Sequence, residues 1–104
     1  MKIKIINRKI EVFIEGLEKI EVAKVLRTID LLEKFGLKLG MPHCKKINNE
    51  LFELRVKGKR EIRILYSIKN GQIVLLHGFI KKTRKIPSKE ILLAERRLKS
   101  LEFV

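Results

Sequence analysis

The spacing of apolar residues changes near residue 40, and this change constrains the fold more than any other feature of the chain. Before it, apolar residues repeat at helical spacing, which predicts a helix capped by Asn7 and a second helix from about Glu18 to Phe35. Gly36 follows the second apolar stripe and is a natural helix stop. After it, apolar and polar residues alternate, as they do in strands. The chain therefore combines helices with a sheet.

The alternating region predicts three strands, and a fourth precedes the first helix. The predicted strands cover residues 2–6, 51–57, 61–68 and 73–82. Asn70-Gly71 is a strong hairpin signal between the last two. After Pro87, Ser88 can cap a final helix. We predict one α+β domain over residues 1–104, with two N-terminal helices packed on an antiparallel sheet of about four strands and a C-terminal helix.

The net charge of +13 predicts a polyanionic partner. Lys and Arg number 25 against 12 Asp and Glu, while 45% of the residues are apolar, which is enough for a folded core. A membrane is a weaker alternative, since no predicted helix sets a purely basic side against a broad apolar one. No segment resembles a signal peptide or the roughly 20 apolar residues of a membrane span. With a single cysteine, Cys44, we expect a cytoplasmic protein.

Side chains along a strand point alternately to its two sides, so the predicted strand residues can be sorted into two faces of the sheet. The side predicted to pack on the N-terminal helices comprises Phe52, Leu54, Val56, Ile62, Ile64, Tyr66, Ile68, Val74, Leu76, Gly78 and Ile80. The opposite side comprises Glu53, Arg55, Lys57, Glu61, Arg63, Leu65, His77, Phe79 and Lys81. A sheet face with cations around an aromatic ring suits RNA, because cations hold phosphates and the ring can stack on a base.

Each of these residues also has a purely structural interpretation. Arg55 and Arg63 could pair with neighbouring glutamates across the strands. His77 could be a structural histidine, and Phe79 could pack under the last helix. The basic run Lys81, Lys82, Arg84, Lys85 could be a solvated end of the strand, although its position on the same strand favours a phosphate track.

Several other chemistries find no support in the sequence. Two histidines and one cysteine at unrelated spacings do not make a zinc site, and His43 and Cys44 are expected to lie in a loop without a chemical role. The single aspartate, Asp30, lies within a predicted helix, which argues against a Ser-His-Asp triad. Neither a phosphate-binding glycine loop nor a dinucleotide motif occurs. We expect neither a metal nor a cofactor.

The segments LFELRVKGKREIRILY and IVLLHGFIKKTRKIPSKEILLAERR closely resemble the phage-derived branch of the RelE/HigB toxin superfamily. The preceding IDLLEKFGLKLGMPHCKKI resembles the second helix of that family and the loop after it. The resemblance covers roughly residues 20–100. It departs from many relatives at Ile62, where an aromatic residue is common, and at Ile86, where threonine is frequent. Leu101 to Val104 also lack the tyrosine that some RelE-type toxins place near the active site.

The resemblance implies a toxin of a type II toxin–antitoxin system that cuts mRNA in the ribosomal A site. It implies a cognate antitoxin, often with a helix-turn-helix region, which blocks the toxin and through which operator DNA is bound. The family motif falls on Arg55, Arg63, Tyr66, His77, Phe79, Lys81 and Lys82.

We therefore predict a metal-independent endoribonuclease in which Arg55 and Arg63 hold the scissile phosphate and His77 or Lys81 transfers protons. The predicted RNA-binding residues are Lys57, Tyr66, Phe79, Lys82, Arg84 and Lys85. The prediction for Tyr66 has the least support, because strand alternation places its side chain on the face that packs on the helices. The alternatives are a non-catalytic RNA- or ribosome-binding module, a protein that mainly holds an antitoxin-like peptide, and a decayed toxin that retains antitoxin binding.

Overall fold

A computed structural model of the chain describes residues 1–101. The last three positions of the predicted domain, 102–104, lie outside the described residues. The elements are β1 (Lys2–Ile5), α1 (Arg8–Glu15), α2 (Lys19–Phe35), a 3-10 turn (Gly36–Lys38), β2 (Cys44–Lys46), β3 (Phe52–Lys57), β4 (Glu61–Lys69), β5 (Gln72–Lys81) and α3 (Ser88–Ser100). None of the helices within residues 1–101 is long and apolar enough to cross a membrane.

The sheet has five strands in the order β1-β5-β4-β3-β2, and it is mixed. The prediction of about four antiparallel strands was therefore wrong in two respects. First, β1 pairs parallel to β5, because the chain leaves β1 through helices before it returns to the sheet. Second, Cys44 lies in a strand, since Cys44–Lys46 pairs antiparallel with β3. This strand was not predicted, because it is only three residues long and its apolar and polar residues do not alternate.

The helix ends follow the predicted signals closely. The Asn7 side chain accepts a hydrogen bond from the Lys9 amide at 2.9 Å, so it caps α1 as predicted. Gly36 ends α2 with a φ of +54°, a conformation that favours glycine. In α3, Pro87 takes the capping position and Ser88 is already helical, one residue away from the prediction. Local signals thus fix where the helices begin and end.

The hairpin between β4 and β5 turns at Asn70-Gly71, where both residues have positive φ, as predicted. Further along, Leu65 pairs with His77 while Tyr66 pairs with Leu75, so Leu76 is an extra residue on β5. This bulge inverts the alternation on β5.

The prediction that Val74 and Leu76 face the N-terminal helices was wrong because of this bulge. These two residues pack under α3, and Ile73 and Leu75 face α1 and α2 instead. Beyond the bulge, the period-two prediction for Gly78 holds, since a Cβ on Gly78 would meet the Phe13 ring of α1.

Two apolar cores lie on opposite faces of the sheet. The larger core lies between the sheet and the N-terminal helices, and its buried residues are Ile10, Ile14, Val25, Leu32, Cys44, Leu54, Val56, Ile62, Ile64, Tyr66, Ile73 and Leu75. The smaller core lies under α3 and comprises Leu51, Leu65, Val74, Leu76, Phe79, Ala94 and Leu98. Because α3 covers only part of its face, the rest of that face remains available for a ligand.

Candidate nucleic-acid interface

The predicted face of β3, β4 and β5 exists, and the strand register brings its residues side by side. Arg55 pairs with Arg63, and Arg63 pairs with Phe79 in the next strand. His77 lies beside Leu65, and Lys81 beside Glu61. The packing of α3 then divides this face into a covered part and an open part.

The covered part holds His77 and Phe79. Phe79 is buried in the core under α3, and the His77 ring stacks on it with centroids 5.6 Å apart. His77 Nε2 lies 3.2 Å from Glu90 Oε1, and its Nδ1 lies 3.5 Å from Arg97 Nη1. Arg97 also donates to the Leu76 carbonyl at 2.7 Å, and burial lowers its pKa. Both rings thus help to hold α3 on the sheet. This agrees with the alternative in which His77 is a structural histidine and Phe79 packs under the last helix.

Arg63 is also buried, with only 1% of its surface exposed. Its Nη2 lies 3.1 Å from Glu61 Oε1, and its Nη1 donates to the Ile62 carbonyl at 3.1 Å. Its Nε lies 3.2 Å from Glu53 Oε2. The guanidinium is therefore surrounded by protein partners and does not reach the surface.

Glu53 is a buried carboxylate that two arginines share. Its Oε2 faces Arg63, and its Oε1 lies 3.4 Å from Arg55 Nε. Glu53 Oε2 and both Nε atoms have no aligned hydrogen bond, so these contacts are ion pairs rather than hydrogen bonds. Sequence reasoning had treated Glu53 only as a possible surface partner of arginine. The structure makes it the fixed anion beside which Arg55 is held.

The open part is a cleft of about 350 Å³ between α3, β2 and the end of β5, which we term the α3-side cleft. Its lining comprises Lys45, Lys46, Ile47, Glu53, Arg55, Lys81, Lys85, Ile86 and Ile91. Five cations therefore surround one carboxylate. Arg55, Lys81 and Lys85 were predicted site residues, whereas Lys45 and Lys46 were missed because β2 was taken for a loop.

The remaining predicted residues lie elsewhere. Tyr66 is in the larger core, stacked on Phe52 with centroids 5.4 Å apart, and burial and a hydrogen bond with Cys44 raise its pKa. Lys82 and Arg84 are exposed after β5 but do not line the cleft. Lys57 lines a different cleft, on the α2 side of β3. Of the predicted residues, Arg55, Lys81 and Lys85 meet in the α3-side cleft, and Arg55 also meets Lys57 in the cleft on the α2 side.

No group of three or more histidine, cysteine, aspartate or glutamate side chains within residues 1–101 is arranged to hold a metal ion. The chemistry that the α3-side cleft itself offers is the binding of phosphate by lysine and arginine.

Comparison with known proteins identifies the family of this chain. No curated protein matches the chain. The family model described as phage-derived protein Gp49-like (DUF891) matches residues 12–99, which run from the second half of α1 into the last turn of α3 and include every strand except β1. The chain therefore belongs to the phage-derived Gp49-like family.

Proposed function

We propose that this protein is the toxin of a toxin–antitoxin module, a ribonuclease of the RelE/HigB type that cuts mRNA on the ribosome. The Gp49-like family is commonly associated with toxin–antitoxin modules, which supports the toxin assignment. The observation that carries the ribonuclease proposal is the α3-side cleft, where five cations surround the buried carboxylate of Glu53. Phosphodiester groups are the ligands that such a cluster favours.

In the proposed reaction, Arg55 binds the scissile phosphate. Its Nε lies beside Glu53, and its Nη1 donates to Met41 Sδ at 3.7 Å, so two contacts position the guanidinium. The RNA 2′-oxygen loses its proton to a base and bonds to phosphorus while the bond to the 5′-oxygen breaks. The departing 5′-oxygen takes a proton from an acid, which leaves a 2′,3′-cyclic phosphate.

Lys81 is the better candidate for proton transfer than His77. Lys81 lines the cleft that holds Arg55. His77 lies under α3, with Glu90 and Arg97 at its two ring nitrogens, so it would reach RNA only after α3 moved. Lys45 and Lys85 add positive charge on the opposite walls and would stabilise the charge that develops on the phosphate.

The shape of the cleft supports the proposed dependence on the ribosome. It is open, and no aromatic ring of residues 1–101 lines it, since Phe79 is buried under α3. A site without a stacking platform does little to orient RNA by itself, so the ribosome would supply the alignment of the message. We expect little cleavage of free RNA, and brisk specific cleavage without ribosomes would contradict this.

The proposed partners are mRNA on the ribosome and a cognate antitoxin, with operator DNA reached through a helix-turn-helix region of that antitoxin. The charge of +13 favours both an RNA partner and an acidic antitoxin surface.

The test is induced expression in a bacterium with mapping of mRNA 5′ ends during growth. We compare the wild type with Arg55→Ala/Lys81→Ala and with a control, Lys2→Ala/Lys4→Ala, which removes two exposed charges from β1 at the opposite edge of the sheet. Wild type and control should arrest growth and cut translated messages, and the cleft variant should be at least about a hundredfold weaker. Equal activity in all three would remove the cleft from the reaction.

A second candidate is a non-catalytic RNA-binding module, or a decayed toxin that still binds an antitoxin. The burial of Arg63 and Phe79 and the engagement of His77 favour it, because they leave the cleft with charge but few groups for proton transfer. In that case the wild type would be folded and harmless, and the double variant would differ only in RNA affinity.

A further inference from the structure

A second basic cleft lies on the other side of β3, between that strand and α2, which we term the α2-side cleft. Its volume is about 380 Å³, and its lining comprises Lys24, Arg27, Thr28, Leu31, Pro42, His43, Arg55, Val56 and Lys57. Four lysines and arginines therefore meet there, and no carboxylate of residues 1–101 lines the cleft. The α2-side cleft has four cations against five in the α3-side cleft, and the buried carboxylate of Glu53 lines only the latter.

Three of these four cations neutralise no charge among residues 1–101, whereas Arg55 pairs with Glu53. Lys24, Arg27 and Lys57 form no ion pair with any of the residues that the structure describes. Nearby, Arg60 is already paired with Glu21. Like charges held together in a cleft repel one another unless an anion binds between them. The α2-side cleft is thus arranged to receive an anion from outside the chain.

The walls of the cleft are formed by α2 and by β3 with the loop before it, and they face each other. Lys24 and Arg27 are one turn apart on α2, which is anchored by the buried Val25 and Leu32. The ammonium of Lys24 reaches across to the turn after β3, where its Nζ lies 3.3 Å from the position of a Cβ on Gly58. On the opposite wall, Arg55 and Lys57 are two residues apart, which on a strand is about 7 Å. Pairs of cations at this spacing suit consecutive phosphates of an extended strand.

Arg55 lines both clefts and joins them. The pairing of β2 with β3 ends at Cys44 and Leu54, so the β3 residues from Arg55 to Lys57 lie at the edge of the sheet. The amide of Arg55 donates to the His43 carbonyl at 2.7 Å, which fixes the preceding loop beside this edge. No paired strand therefore stands between the two clefts in this stretch of β3.

We propose that the α2-side cleft is a second phosphate-binding site, which holds the single-stranded RNA that continues past Arg55 from the α3-side cleft. The proposal rests on the proposed function for the nature of the polyanion. RNA is favoured over an acidic peptide because the two clefts share Arg55 and together present a continuous series of cations, which a regular chain of phosphates matches. The apolar lining residues Leu31, Pro42 and Val56 would contact the sugars.

The experiment measures binding of the full chain to a fluorescent oligouridylate of about 12 nucleotides by anisotropy over a series of salt concentrations. The α2-side variant is Lys24→Gln/Arg27→Gln, on exposed helix positions where glutamine is well tolerated. The α3-side variant is Lys45→Gln/Lys85→Gln, and the matched control is Lys2→Gln/Lys4→Gln on β1. Lys57→Gln removes a cation of the same cleft from β3 instead of α2. The conclusion therefore does not depend on whether one variant folds correctly.

We expect the α2-side variant to bind about tenfold more weakly and to lower the slope of log affinity against log salt by about 1.4, the value for two lost contacts with single-stranded RNA. Lys57→Gln should lower the slope by about half as much, and the β1 control should bind as the wild type does. RNA binding by both α2-side variants that equals that of the wild type overturns the inference and leaves the cleft to another anion, such as an acidic peptide.

The α3-side variant separates this inference from the proposed function. If only the α3-side variant weakens RNA binding, the second site is wrong and the proposed function stands. If neither cleft variant differs from the control, both the second site and the main support for the proposed function are lost.

Discussion

Glu53 is the residue on which the candidate site depends most. The residue is 3% exposed, and its carboxylate lies beside both Arg55 and Arg63, the second of which is itself buried. Removal of one partner from a buried ion pair leaves the other charge uncompensated. We expect Glu53→Gln to reduce the free energy of unfolding by about 3 kcal/mol, measured by urea denaturation.

The matched control is Glu50→Gln, which removes a carboxylate of the same charge from an exposed turn. It should change the free energy of unfolding by less than about 0.5 kcal/mol. A Glu53 variant as stable as the control would mean that Arg63 is held by Glu61 and the Ile62 carbonyl alone.

The sequence could place Arg63 on the correct face but not show that it is buried. Strand alternation defines the face on which a side chain lies, and Arg63 and Phe79 do share that face. Alternation does not show that a helix from the far end of the chain will cover part of it. The apolar side of α3 was visible in the sequence, but where α3 would pack was not.

At the scale of elements, the contact between α1 and β5 depends on the lack of a side chain at Gly78. A Cβ at this position would lie 2.7 Å from Cε2 of Phe13, which is closer than real contacts allow. Gly78→Ala should therefore reduce the free energy of unfolding by about 1–3 kcal/mol. Most of this loss should disappear when the substitution is made in a Phe13→Ala background.

Gly40→Ala is the control for Gly78→Ala, since nothing lies within 4 Å of its Cβ position. Both substitutions add one methyl group, but only the one at Gly78 should be coupled to Phe13. If the cost of Gly78→Ala were the same with and without the Phe13 ring, close packing of α1 on β5 would not explain the glycine.

The start of α2 is tied to the turn between β3 and β4 by Glu21 and Arg60. Arg60 Nε donates to Glu21 Oε2 at 2.9 Å, and this bond is the main reason why the pKa of Glu21 falls from 4.5 to about 2. A carboxyl whose pKa is lower in the folded state stabilises the fold above its unfolded pKa. The stability that it contributes is lost as the pH falls from 4.5 towards 2.

Arg60→Gln should therefore be less stable than the wild type near neutral pH, and the difference should shrink as the pH falls through this window. Chemical denaturation over a pH series measures it, and Arg8→Gln, which breaks the exposed pair with Glu11, is the control. A difference between the wild type and Arg60→Gln that stays constant down to the acid limit would show that Arg60 acts through packing rather than through the Glu21 charge.

The sequence predicted the elements with strong local signals and missed those without them. The two N-terminal helices are bounded by capping residues, and the Asn70-Gly71 turn consists of residues that tolerate positive φ. All three elements were predicted correctly. Strand β2 has two lysines between Cys44 and Ile47, so it shows no alternation. The bulge at Leu76 is set by pairing with β4, and this single extra residue puts Val74 and Leu76 on the face opposite to the predicted one, while the residues from His77 to Lys81 lie on the predicted faces.

At the scale of the whole molecule, the net charge of +13 opposes folding and favours a polyanion at the same time. Both basic clefts are built from side chains on separate elements that come together only in the fold, so their mutual repulsion is lower in the unfolded chain. Salt screens this repulsion. The free protein should therefore become more stable as salt is added.

The stabilisation that polyuridylate gives should change with salt in the opposite direction. A polyanion that binds the folded chain at about 100 times its dissociation constant adds about 2.7 kcal/mol to the free energy of unfolding. Salt weakens that binding steeply, because each phosphate contact releases counterions. Thermal unfolding at increasing salt, with and without polyuridylate, should thus give two melting temperatures that converge.

Uncharged dextran is the control polymer and should have little effect on the melting temperature. If the melting temperatures stayed equally far apart at all salt concentrations, binding would not be electrostatic, and the two basic clefts would not be where the RNA is held.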